Sequence, residues 1–179
     1  MLFWLALTAL LWASPSPVAV APGAPALVFD LPAANARAAK ALVEDDSVAL
    51  TDLTGPMPAH PQKAVVVHFF RTRDGDGAMA GLERVRRRFQ NRGVAVLAIA
   101  TDQPNFNALS VWASSQNIRF PVLHDAHQIV SSRYAVTTYP LTIVIDGEGR
   151  LFAVGQPEPV ELERELGAEL EGLLGQSAG

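Results

Sequence analysis

Two continuous apolar runs dominate the hydrophobic pattern of the chain, at residues 64–70 and 94–100. Both are rich in valine, alanine, isoleucine and phenylalanine, which is the pattern of a strand buried on both faces of a sheet. Between the runs, apolar residues recur at helical spacing, with arginines mostly on the other faces: Met79, Leu82, Val85 and Phe89. Strand, helix and strand at this separation predict a right-handed parallel β-α-β crossover.

The pattern after residue 100 predicts a second helix, a short strand and a third helix. The second helix starts at Pro104 or Asn105 and ends near Gln116. Its expected buried face consists of Phe106, Leu109 and either Trp112 or Ala113. Residues 120–124 then form a strand, and Asp125 caps a helix that runs through Ile129, Val130 and Tyr134.

The last third of the chain predicts an antiparallel hairpin and a closing helix. Residues 141–145 and 151–154 are apolar and flank a glycine-rich turn at 146–150, as in a β-hairpin. An apolar stripe then marks a helix that we expect to carry Glu158 and Glu161 in its first turn. The stripe consists of Leu162, Leu166, Leu170, Leu173 and Leu174.

The N-terminus predicts a targeting segment. Residues 1–13 are uncharged and apolar, and they are too short for a membrane span, which needs about 20 residues. Small residues and prolines follow, with possible cleavage after Ala21 or Ala26; a short buried or interfacial helix is the alternative. We therefore expect a signal peptide at 1–26 and export to the periplasm or beyond. An N-terminal extension at 27–45, a single domain at 46–175 and a tail at 176–179 complete the predicted organisation.

Composition narrows the chemistry further. The chain has 179 residues, a net charge of −4 and no cysteine. This charge gives no basic field for nucleic acid, and the predicted contact with a membrane is through targeting alone. The absence of cysteine excludes disulfides, zinc–thiolate sites, iron–sulfur clusters and thiolate nucleophiles built from this chain. We predict no cofactor.

The predicted order of elements is that of a three-layer α/β fold of the thioredoxin type, with a central mixed sheet. Residues 46–174 resemble the TlpA-like redoxins and the related alkyl hydroperoxide reductase and thiol-specific antioxidant group. The motifs that carry the resemblance are VVVHFF at 65–70, LERV at 82–85, VAVLAIATD at 94–102, FPVL at 120–123 and YAVTTYPLTIVIDGEGR at 134–150. The resemblance implies that Pro140 corresponds to the cis-proline of these proteins.

The departure from this family falls on its active site. The positions that match the redox dithiol are Asp74 and Gly77, and the following helix starts about two residues early. A redoxin needs a thiolate at this helix N-terminus to attack a disulfide or peroxide. Aspartate at such a position is a good cap and a stable anion instead. Thiol-disulfide oxidoreductase and thiol peroxidase activities are therefore not expected.

The resemblance also implies a binding site, because the backbone before the cis-proline pairs with an extended substrate peptide in the family. The candidate binding residues are Thr138, Tyr139, Pro140, Arg71 and Arg73. We expect a binding or accessory module whose partner is an extended peptide or a protein. The alternative is that the proline only maintains the fold.

Four residues are weak metal-ligand candidates: Asp74, Asp76, His124 and His127. Asp74-Gly-Asp-Gly resembles the start of a calcium loop, but the later ligand positions do not fit. The two histidines need a third ligand from elsewhere. A capped turn and solvated histidines are the simpler readings. A redoxin-like oxidoreductase with a non-thiol or metal-dependent site, and a decaying paralogue without a selected function, remain the alternative hypotheses.

Overall fold

The computed structural model describes residues 20–74, 77–103 and 105–176. Its helices and strands, in chain order, are β1 (Asp30–Pro32), α1 (Ala36–Val43), β2 (Ser47–Ala49), β3 (Ala64–Phe70), α2 (Gly77–Phe89), β4 (Val94–Ala100), α3 (Phe106–Ser115), β5 (Val122–His124), α4 (Ile129–Arg133), β6 (Leu141–Asp146), β7 (Leu151–Gly155) and α5 (Leu162–Gln176). Short 3₁₀ turns lie at Leu50–Asp52, Thr72–Asp74 and Gln90–Arg92. The predicted apolar leader at 1–13, Asp76, Pro104 and most of the predicted tail fall outside the described residues.

The central sheet has five strands in the order β5-β4-β3-β6-β7. β3 is parallel to β4, and β4 is parallel to β5, whereas β6 runs antiparallel to both β3 and β7. The predicted mixed sheet is therefore confirmed, with its β-α-β crossover, its inserted α3 and β5, and its C-terminal hairpin followed by a helix.

The two faces of this sheet bury separate apolar clusters. Alternate residues of β3, Ala64, Val66 and Phe70, pack with α2, α3 and α5. The intervening residues Val65, Val67 and Phe69 pack with α1, α4 and the N-terminal segment. Because both faces are covered, every residue of β3 and β4 is buried, which explains the continuous hydrophobicity of these two strands.

The predicted second helix differs from α3 at its first turn. Asn105 caps α3, since its side-chain oxygen accepts hydrogen bonds from the backbone N–H groups of Asn107 and Ala108 at 2.9 and 3.2 Å. The predicted burial of Phe106 is wrong: its side chain is 38% exposed. Phe106 is the first residue of the helix, where its ring centre lies 5.6 Å from that of His124, and the buried residues of the helix are Leu109 and Ala113.

The closing helix starts later than its acidic residues suggested. α5 begins at Leu162, so Glu158 and Glu161 lie before the helix. The backbone carbonyl of Glu158 accepts hydrogen bonds from the N–H groups of Glu161 and Leu162 in a preceding turn. Glu163 and Glu165 occupy the first helical turn instead. Their negative charges interact favourably with the positive end of the helix dipole there.

The segment before α1 contacts both edges of the central sheet, including residues 23–26 of the predicted signal peptide. Residues 23–26, called the N-terminal strap below, make three backbone hydrogen bonds of 2.7 to 2.9 Å with Gly149 and Leu151 beside β7. At the opposite edge, the N–H of Ala34 donates to the carbonyl of Val122 in β5 at 2.7 Å. Between these contacts, β1 pairs with β2 in a separate two-stranded sheet.

Within the residues that the structure describes, no helix has the length and apolar character needed to cross a membrane.

Candidate functional site

A small cleft lies where β3 ends and α2 begins, with a volume of about 90 Å³. The loop that precedes β6 closes it from the other side with Tyr139 and Pro140, whose peptide bond is cis. The cleft thus brings together five residues singled out in the sequence: Arg71, Asp74, Gly77, Tyr139 and Pro140. The parallel crossover explains this, since it places the end of β3 and the start of α2 at one edge of the sheet.

An ion pair lies at the rim of the cleft and contacts an aromatic ring. Nε of Arg71 lies 2.5 Å from Oδ2 of Asp74, and the Arg71 guanidinium carbon is 4.7 Å from the centre of the Tyr139 ring. Arg73 approaches the same carboxylate more loosely, at 3.8 Å. Asp74 is thus held by two arginines, both of which are candidate binding residues from the sequence.

Asp102 fixes the turn that carries Asp74. Its carboxylate accepts hydrogen bonds from the backbone N–H groups of Thr72 and Arg73 at 2.8 and 3.1 Å, and from the Thr72 hydroxyl at 3.1 Å. Sequence reasoning gave Asp102 no role at the site. The available signal was its place directly after β4, because the ends of the parallel strands β3 and β4 meet at one sheet edge.

His68 forms the floor of the cleft and is completely buried. Its Nδ1 lies 2.9 Å from the hydroxyl oxygen of Thr142, the residue opposite it on β6. Among the described residues, its Nε2 has no hydrogen-bond partner. Burial lowers the pKa of His68 to about 4, so the imidazole is neutral at neutral pH. We had assigned His68 only to a buried strand, although a polar residue in such a strand is itself a signal.

Gly77 leaves room for a neighbouring proline. A Cβ added at Gly77 would lie 3.3 Å from Cβ of Pro159, in the segment that leads into α5. The second position that matches the dithiol is therefore filled by backbone and by Pro159, and a larger side chain there would displace this contact.

Thr138 lies at the outer end of the same loop and is exposed. Its hydroxyl and carbonyl oxygens accept hydrogen bonds from the side-chain amide of Gln156 in the segment after β7. A peptide that pairs with this stretch of backbone would compete with Gln156 for these oxygens.

The histidine candidates for a metal lie on different elements. His124 ends β5 and is buried, with its Nε2 against the carbonyl oxygen of Gln103. Because a carbonyl can only accept, this nitrogen carries the proton and cannot ligate a metal. His127 lies exposed in the turn before α4. The described part of the chain contains no group of three or more histidine, aspartate or glutamate side chains that could hold a metal ion.

Comparison with known proteins gives one family match and many structural matches. The model of the AhpC/TSA family matches residues 22–154. A Chlorobium tepidum structure described as a thiol:disulfide interchange protein DsbE has a TM-score of 0.70 and 20% identity, over 86% of this chain and 98% of that one. A thiol-disulfide oxidoreductase from Bacteroides fragilis has a TM-score of 0.63 and 18% identity, over 82% and 98%. A search of curated proteins found no match.

Proposed function

Since this chain belongs to the AhpC/TSA family, we propose that it is an exported thioredoxin-like protein that has lost dithiol chemistry and binds an extended peptide or protein partner. The binding site would be the cleft beside Tyr139 and Pro140. One observation carries the proposal. Asp74 and Gly77, which the family resemblance matches to the redox dithiol, line a cleft beside the cis-proline, and the chain has no cysteine.

The residues at the cleft argue against a substitute for the thiolate. A carboxylate has little nucleophilicity towards disulfides, and that of Asp74 is already paired with Arg71 at 2.5 Å. The Arg71–Asp74 pair is partly exposed and adds little stability. Its two charges lie at the rim of the cleft and not at the His68 floor. The site retains the features of a binding cleft without a thiol that could form a mixed disulfide with a substrate.

Three features support a peptide as the partner. The cleft walls are apolar, with Phe70, Met79 and Pro140. The Tyr139 ring at the rim is only half-buried, and such rings contribute large contact area at interfaces. The family resemblance adds an expectation for the backbone before Pro140, namely that it pairs with an extended chain.

Export is supported by the sequence of the first 26 residues. Residues 1–13 have the length and composition of a signal-peptide core, followed by small residues that suit cleavage. In a compartment that favours disulfides, a cysteine-free protein can contact oxidised partners without exchanging bonds with them.

Two measurements on the purified mature chain test the proposal. Insulin reduction and hydroperoxide consumption, each with dithiothreitol as reductant, should proceed at the rate of a blank without protein. S-carboxymethylated α-lactalbumin, a permanently unfolded polypeptide, should bind, and the Tyr139→Ala variant should bind it more weakly.

The matched control for the binding measurement is Met57→Ala. Met57 is 90% exposed and lies in the loop before β3, at the end of that strand remote from the cleft. Binding by Met57→Ala should equal that of the wild type. Thiol-dependent turnover above the blank, or equal weakening by both substitutions, would overturn the proposal.

A further inference from the structure

Two of the twelve arginines of the chain differ from the rest. The other ten each make an ion pair or a side-chain hydrogen bond. Within the residues that the structure describes, the guanidinium groups of Arg37 and Arg119 make neither. Both side chains are exposed, and both line one hollow between α1 and the loop that joins α3 to β5. Two positive charges from separate parts of the chain therefore lie at one surface site.

A second hollow adjoins the first and leads to the cleft. It shares Asn117 and Ile118 with the first hollow. At its other end it shares Gly77 and Met79 with the cleft beside the cis-proline. The two hollows, called the basic groove below, therefore connect the cleft with the two unpaired arginines.

The charge of the basic groove is positive. Arg87 lines the second hollow with 63% of its side chain exposed, and its ion pair with Glu83 is loose, at 3.9 Å. Among the described residues that line either hollow, Glu83 is the one acidic residue. It is already held by Arg86 at 2.7 Å and by the backbone N–H of Arg119 at 3.1 Å. The guanidinium groups of the groove are thus left to bind an anionic partner.

The other lining residues favour carboxylates on a polypeptide. Guanidinium groups bind carboxylates and phosphates through paired hydrogen bonds. Beside them lie Ala38, Ala41 and Ile118, which a polypeptide covers and a small inorganic ion leaves exposed. An anionic membrane fits poorly, because the exposed large hydrophobic side chains, among them Val111 and Ile129, line neither hollow. The net charge of −4 opposes nucleic acid.

We infer that the basic groove binds an acidic segment of the polypeptide partner. This inference rests on the proposed function and adds the chemical class of that partner. Carboxylates of the segment pair with Arg37 and Arg119, while small apolar side chains between them contact Ala38 and Ile118. Because the groove adjoins the cleft, one extended chain can occupy both.

The test uses two heptapeptides of similar size, acetyl-Gly-Glu-Ala-Glu-Ala-Glu-Gly-amide and the same peptide with glutamine in place of each glutamate. Binding to the folded mature chain is followed by NMR titration of its backbone amides. We expect the glutamate peptide to bind about ten-fold more tightly than the glutamine peptide and to shift the amides of Asn117 and Ile118. This advantage should disappear at about 0.5 M NaCl, because salt screens exposed charges.

The double variant Arg37→Gln/Arg119→Gln should bind the glutamate peptide about ten-fold more weakly than the wild type, the combined effect of two exposed ion pairs. Its matched control is Lys63→Gln/Arg164→Gln, which removes the same net charge from side chains that line neither hollow. The control should bind the peptide like the wild type. All four side chains are exposed, so we expect both double variants to fold.

Equal affinity for the two peptides, equal weakening by the two double variants, or no binding of the glutamate peptide would overturn the inference. Displacement of the peptide by millimolar inorganic phosphate at constant ionic strength would show a site for small anions and would overturn it as well. Tyr139→Ala should bind the glutamate peptide like the wild type, since Tyr139 lines neither hollow. The α-lactalbumin measurement therefore decides the proposed function separately.

Discussion

His68 is the one polar side chain of β3, whose other six residues are apolar. The apolar neighbours exclude water from the ring, and exclusion of water disfavours its charged form. Thr142 supports the neutral ring from the opposite strand at 2.9 Å. A titratable group in such a position ties the stability of the whole sheet to pH.

Stability should fall as the pH drops from about 6.5 to about 4, because the unfolded chain binds a proton at His68 and the folded chain does not. The pKa of His68 is lowered from 6.5 to about 4, so the loss is about 3 kcal/mol on reaching the lower value. Above about pH 6.5 this contribution is fully present. Urea unfolding of the wild type and of His68→Gln at a series of pH values measures the difference.

The wild type and the variant should differ in pH dependence across that window and run parallel outside it. The matched variant His127→Gln removes an exposed histidine and controls for the change in net charge. A pH profile of His68→Gln that matches the wild type between about pH 4 and 6.5 would contradict the argument.

The short helix α4 is stabilised by a side chain that lies outside the helix. α4 has five residues, too few to be stable by itself. Asp125 is 2% exposed, and its carboxylate accepts hydrogen bonds from the backbone N–H groups of Val130 and Ser131 at 3.2 and 2.8 Å, and from the Ser131 hydroxyl at 2.9 Å. The helix is therefore attached to β5 through one carboxylate.

Asp125→Ala should lower the free energy of unfolding by about 2 kcal/mol, because it removes a cap and leaves buried donors without acceptors. Asp125→Asn keeps a side-chain oxygen and should lose less. Urea unfolding at neutral pH compares the two variants. Equal losses would show that burial of the side chain, and not its acceptor pattern, stabilises α4.

Elements with strong local patterns were predictable, whereas contacts between distant segments were not. β3 and β4 have the predicted bounds because burial on both faces makes every residue apolar. The burial of Phe106 was predicted wrongly because helical spacing alone does not show which turns of a helix are covered by other elements. Asp102 has a role at the site because the ends of β3 and β4 lie side by side. The hydrogen bond of the His68 ring is made with Thr142, 74 residues away in the sequence. The position of the cleft could be predicted from the fold, but the roles of His68 at its floor and of Asp102 in its turn could not.

At the scale of the whole molecule, the segment before α1 contacts both edge strands of the five-stranded sheet at one end of each. The strap pairs beside β7, and Ala33 and Ala34 pair with β5. Open sheet edges invite pairing with other chains. The segment therefore belongs to the folded unit, in agreement with the family match, which begins at residue 22 and not at the predicted domain boundary of residue 46.

The strap also bears on where a signal peptide can be cut. Cleavage after Ala26 would remove its three hydrogen bonds to Gly149 and Leu151, whereas cleavage after Ala21 keeps them. We expect mass spectrometry of the exported protein to find an N-terminus at or before Pro22. Chains that begin at Leu27 should be less stable than chains that begin at Pro22, because they lose three backbone hydrogen bonds of about 1 kcal/mol net each and the packing of Ala24 and Ala26 against the core. They should also aggregate faster than chains that begin at Pro22.

Equal stability and equal aggregation of the two chains would show that the strap contributes nothing to the fold. An N-terminus at Leu27 in the exported protein would show that the strap is absent from the working molecule.

The strap also sets an order of events. Residues 23–26 leave the ribosome before their partners at 149–151, and the contact between Gly23 and Arg150 spans 127 residues. Such contacts form late. For a chain that crosses a membrane as proposed, the β7 edge stays open while the first residues are held by the export machinery. The strap then docks only after release from that machinery, so this edge of the sheet is the last part of the fold to form.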